Sequence, residues 1–96
     1  MTRLRFYVGL VTKDGRVVDK AVIERMTQLV SQEYGGLTMY QTQGAYEGQE
    51  EPSVVIEVLE DGLNRCSAAT MAGSLRKLAD QSTVLWTREE VAGGFV

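Results

Sequence analysis

Ninety-six residues with 44% hydrophobic side chains suffice for one domain around a single core. A net charge of −3 argues against nucleic acid as a direct partner, and no run of 18 apolar residues is present to span a membrane. Histidine is absent and Cys66 is the one cysteine, which excludes an intramolecular disulfide, a histidine-based catalytic triad and a zinc site of ordinary composition.

The chain opens on the basic stretch Met1-Thr2-Arg3-Leu4-Arg5, but the apolar segment behind it is short and alternating. It reads as a strand and not as a signal peptide, so the expected location is cytoplasmic. Leu4, Phe6, Val8 and Leu10 alternate with Arg5, Tyr7, Gly9 and Val11, giving one apolar face and one mixed face. Lys13-Asp14-Gly15-Arg16 signals a turn. Asp19 offers a helix N-cap, Val22, Met26, Leu29 and Val30 repeat at helical spacing, and Gly35-Gly36 supplies the left-handed C-cap.

A second strand is expected over 37–42 and a third over 53–59, joined by a hairpin tip rich in glycine and glutamate around Pro52. Asn64 is a candidate cap for a second helix, whose inner side would carry Ala68, Met71, Ala72, Leu75, Leu78 and Ala79. The fourth strand is expected over 82–87 and holds the one tryptophan, Trp86. Residues 88–96 then form a tail that is flexible or docked on a partner. The order strand, helix, strand, strand, helix, strand is the split βαβ pattern of an α+β, ferredoxin-like sandwich, here a single domain over 1–96. Two helices would cover one face of a four-stranded antiparallel sheet with the first and third strands central, leaving the other face open.

That open face should present Arg5, Tyr7, Tyr40, Thr42, Val55, Glu57 and Leu59, with Trp86 or Leu85 from the fourth strand. Such a face serves either as the contact of a homodimer or higher oligomer, or as a ligand platform built on tyrosines. Arg5 and Glu57 are expected to form a structural cross-strand ion pair. The hairpin carries Tyr46, Glu47, Glu50 and Glu51 without a basic residue; it is a solvated acidic surface, or an acidic projection that docks on a basic groove. Arg65 at the second helix offers an anion contact, and Cys66 beside small residues reads as a buried filler. No residue set implies a cofactor or a metal.

Phe6-Tyr7-Val8-Gly9-Leu10, Gly36-Leu37-Thr38, Gly44-Ala45-Tyr46-Glu47-Gly48, Glu51-Pro52-Ser53 and Gln81-Ser82-Thr83-Val84-Leu85 resemble a family of small, uncharacterised ferredoxin-like proteins of bacteria and bacteriophages. The resemblance implies the fold and a phage setting, and it transfers no catalytic residue. A phage setting implies in turn a protein that acts by binding a host component. The expected function is therefore non-enzymatic: a homo-oligomer that engages a host protein or a small anionic ligand through Arg5, Tyr7, Tyr40, Tyr46, Arg65 and Trp86. The alternatives are an acidic nucleic-acid mimic acting through Glu47, Glu50 and Glu51, and a small acid-base enzyme built on tyrosine and glutamate.

Overall fold

A computed structural model describes residues 1–60 and 67–96. Its elements are β1 (Thr2–Gly9), α1 (Lys20–Tyr34), β2 (Thr38–Tyr46), β3 (Gln49–Glu60), α2 (Ala68–Leu78) and β4 (Leu85–Glu90). The strands form one antiparallel sheet in the order β2-β3-β1-β4, so the first and third strands are central. This is the ferredoxin-like arrangement.

Alternation on β1 and β3 creates the core. Leu4, Phe6 and Val8 stand opposite Val58, Ile56 and Val54, and all six are almost completely buried. Met26 and Val30 from α1, and Ala68, Met71, Ala72 and Leu75 from α2, close over them. Both helices begin on side-chain caps. The Asp19 carboxylate accepts from the Val22 amide at 3.0 Å, and the Ser67 hydroxyl accepts from the Thr70 amide at 3.1 Å. Gly35 ends α1 in the left-handed conformation with φ 85°, where a Cβ would be strained.

Three boundaries differ from the sequence expectation. β2 and β3 each run four residues further into the hairpin, so that only Glu47 and Gly48 form the turn. Both have positive φ, 49° and 79°, which matches the twist of the flanking strands. Pro52 does not stop the strand: its carbonyl accepts from the Leu10 amide at 2.9 Å, and the donor it lacks is not missed because the Leu10 carbonyl accepts from the Val18 amide at 2.7 Å. The second helix is capped by Ser67; Asn64, expected in that role, lies outside the described residues, as do Arg65 and Cys66. The fourth strand starts at Leu85 and takes in Arg88, Glu89 and Glu90, residues expected in the tail. Pairing with Arg3 and Thr2 across the strand holds them in the sheet.

Candidate functional site on the open sheet face

Residues directly opposite one another in a ladder share a face. Tyr7 lies opposite Val55 and Leu85, and Val55 lies opposite Tyr40. All four therefore project away from the helices. Val55 is only 8% exposed although it is outside the core cluster, so it forms a covered apolar floor on this face. Trp86 stands opposite Phe6 and belongs to the helix side of the edge strand. Of the two residues proposed from β4 for the open face, Leu85 is the one there.

Beside the floor, a polar network crosses all four strands. The Arg5 Nε donates to Glu57 Oε1 at 2.9 Å, and the Tyr40 hydroxyl donates to Glu57 Oε2 at 2.8 Å. Arg3 donates to Glu89 Oε1 from Nε at 2.8 Å and from Nη2 at 2.6 Å. Longer contacts of 3.8 Å join Arg3 to Glu57 and Arg5 to Glu89. Burial pushes the Glu57 carboxyl up, but hydrogen bonds from Tyr40 and Arg5 and the charges of Arg5 and Arg3 outweigh it. The result lies below the usual carboxylate range. The same hydrogen bond to Glu57 raises the Tyr40 phenol, and the Glu57 partner raises Arg5. The expected cross-strand ion pair is thus present, inside a larger array in which Arg3 and Glu89 were not anticipated. Their signal was the continuation of the Arg5, Tyr7 alternation back to Arg3.

Further along the same face the Thr42 and Ser53 hydroxyls share a hydrogen bond of 2.7 Å. One step beyond, Glu51 lies opposite Gly44 and is half-buried. Among the described residues its carboxylate forms no hydrogen bond or ion pair. The neighbouring Gly9 leaves room for the Gln81 amide, which donates from Nε2 to Val11 O at 2.7 Å and to Ala79 O at 3.0 Å. A Cβ on Gly9 would sit 2.6 Å from Gln81 Oε1.

The other candidates scatter. Tyr46 is exposed at the end of the hairpin, and Glu47 occupies its turn. Glu50 projects to the opposite side of the ribbon and accepts from Gln43 Nε2 at 2.7 Å. The acidic residues of the hairpin thus point in different directions instead of forming one charged surface. On the helix side, burial raises the Glu60 carboxyl against the opposing charge of Arg88. Among the described residues no group of three or more acidic or sulfur side chains could hold a metal, and no helix is long and apolar enough to cross a membrane.

A four-stranded sandwich with helices on one side and a polar, aromatic platform on the other defines the class to which the chain is compared. No protein-family model matches the sequence, and no curated protein matches it. Among solved structures it is similar to a phage SAM lyase in complex with S-methyl-5'-thioadenosine. The two share 21% identity with a TM-score of 0.70, over 93% of this chain and 80% of that one. The apo state of a phage SAM lyase gives 20% identity and a TM-score of 0.66, over 92% and 78%. A DUF3240 family protein from Shewanella baltica gives 9% identity and a TM-score of 0.54, over 99% and 94%. At these identities the likeness is one of fold.

Proposed function

We propose that the open face binds S-adenosylmethionine and that the protein acts as a lyase on it, releasing S-methyl-5'-thioadenosine. The observation that carries this reading is the half-buried Glu51 carboxylate, which has no countercharge among the described residues and shares a face with the Tyr7, Val55 and Tyr40 row. Four residues of strand separate Glu51 from that row, a distance of ~13 Å. The adenosine half of the ligand lies on the tyrosines, where a ring system finds both an apolar floor and hydroxyls. The ammonium of the methionine chain reaches Glu51. This division suits the reaction, because the ammonium keeps its charge throughout, whereas the sulfonium loses its charge as the carbon–sulfur bond breaks. A carboxylate on the ammonium binds substrate and transition state alike, and a less polar surface around the sulfonium favours the transition state.

The absence of histidine is no obstacle to this chemistry. The bond between sulfur and the amino-acid chain breaks with its electron pair moving to sulfur, and the neutral thioether leaves without a proton. A lyase adds neither water nor an enzyme group, so the substrate's own carboxylate oxygen forms a C–O bond to the carbon as the C–S bond breaks, closing a lactone that keeps the ammonium while the neutral thioether leaves. The fold shared with the phage SAM lyase supports the reading.

The test is to incubate the purified chain with S-adenosylmethionine and follow release of the thioadenosine by chromatography, with Glu51→Gln and Tyr40→Phe beside it. Turnover that falls at least tenfold in Glu51→Gln, with an unchanged circular dichroism spectrum, is the expected result. Calorimetric binding of the thioadenosine without turnover would return the protein to the class of ligand-binding modules. Neither binding nor turnover would end the proposal.

A further inference from the structure

We propose that β2 is a pairing edge, and that two copies of the chain join their β2 strands antiparallel into one continuous eight-stranded sheet. β2 is an outer strand of nine residues, Thr38-Met39-Tyr40-Gln41-Thr42-Gln43-Gly44-Ala45-Tyr46, and every one of them is exposed. It contains no charged residue and no proline, and its ladder with β3 runs through nine pairs without a bulge. Natural edges are ordinarily blunted by charge, proline or a bulge, because the free N–H and C=O groups of a plain edge capture another strand. The opposite edge obeys that rule. β4 carries Arg88, Glu89 and Glu90, and beyond it the chain is tied back by the Val91 amide, which donates to Met1 O at 2.9 Å.

The occupant that this edge fits is a second copy of itself. An antiparallel pair about a two-fold axis through Thr42 sets Thr38 opposite Tyr46, Met39 opposite Ala45, Tyr40 opposite Gly44, and Gln41 opposite Gln43. No like charges meet in that register, each glutamine faces an amide, and Gly44 opposite Tyr40 brings no side chain against it. The pairing leaves the open face free and extends it across the axis, so it stands whether or not the proposed ligand binds.

Two variants test it, each on the full chain. Gln41→Lys with Gln43→Lys places two lysines against two lysines across the axis, while in the single chain both positions are exposed. Wild type should have the mass of a dimer by light scattering at micromolar concentration, and the double variant half that mass with an unchanged circular dichroism spectrum. In the second, Thr42→Cys is made with Cys66→Ser, so that the new cysteine is the one thiol. Directly opposed residues of an antiparallel pair have Cα atoms ~4.5–5.5 Å apart, within the span of a disulfide. Mild oxidation should therefore yield a covalent dimer. A monomeric wild type, or a double-lysine variant that keeps its dimeric mass, would overturn the proposal. So would dissociation by Tyr7→Glu alone, which would mean that the copies stack by their sheet faces. Loss of the dimer in the lysine variant, with no cross-link formed by the Thr42→Cys variant, would overturn the register through Thr42.

Discussion

Ile56 and Val55 are neighbours in sequence, both nearly inaccessible, yet they lie on opposite faces of β3, and alanine substitution should separate them. Ile56 is fully buried between Phe6 on β1 and Met39 on β2, under the helices. Ile56→Ala removes three carbons, a transfer loss of about 2.4 kcal/mol at ~0.8 kcal/mol each. The surrounding strands and helices cannot collapse into the space, so the cavity raises the loss to about 3–4 kcal/mol, within the range for such changes. Val55 is covered only by neighbours on the open face, and Tyr40 there is 43% exposed. Val55→Ala removes two carbons, with an upper bound of about 1.6 kcal/mol, and the exposed rings beside it settle inward to reduce that to ~1 kcal/mol. Urea unfolding followed by circular dichroism reads both, as a lower midpoint at unchanged slope. Since domains of this kind hold about 5–15 kcal/mol, the Ile56 variant should still fold. Equal losses, or a larger one for Val55, would refute the assigned faces, because a one-residue slip exchanges them.

Acid should weaken the fold partly through Glu57. Its carboxyl titrates below the usual range in the folded chain, so the stabilisation is present above the unfolded-state pKa and is lost as pH falls through the folded one. Urea midpoints across the acid range should therefore fall less steeply in Glu57→Gln than in wild type, and parallel curves would dismiss the network as a source of stability. Glu60 is raised and acts with the opposite sign: its ionisation costs stability as pH rises through its folded pKa, so Glu60→Gln should help at neutral pH and make no difference in acid. Gly9→Ala should cost about 1–2 kcal/mol, the worth of the two Gln81 hydrogen bonds that a Cβ would displace, and should be nearly neutral in a Gln81→Ala background. Additive losses in that double-mutant cycle would show that the two positions are not coupled. Asp19→Ala should lower stability by ~1 kcal/mol through loss of the α1 cap, measured by thermal melting.

How far the site could be read from the chain depended on how local its causes are. The Arg5 and Glu57 pair follows from alternation and from the pairing of the central strands, both visible in the residue pattern. Tyr40 as a third member needed the register of β2 against β3, which is set by a two-residue turn at Glu47-Gly48. A longer loop would have given another register. Arg3 and Glu89 escaped because β4 was expected to end before Glu89, and an edge strand's length depends on what it pairs with. The residue pattern does not choose between Trp86 and Leu85 for the same reason: a short exposed strand has too weak an alternation to declare its inner face.

The amino-acid sequence by itself determined the order of elements, the cap at Asp19, the stop at Gly35 and the apolar faces of β1, β3 and both helices. These rest on neighbours one to four residues apart, where backbone geometry and side-chain chemistry act directly. Only the tertiary structure decided that Glu51 stands without a countercharge among the described residues while Glu57 is bound by Arg5 and Tyr40, and that Glu50 turns away from both. Three glutamates within eight residues look alike along the chain. Their electrostatic environments come from strands up to 52 residues distant in sequence, brought within hydrogen-bond range by the sheet.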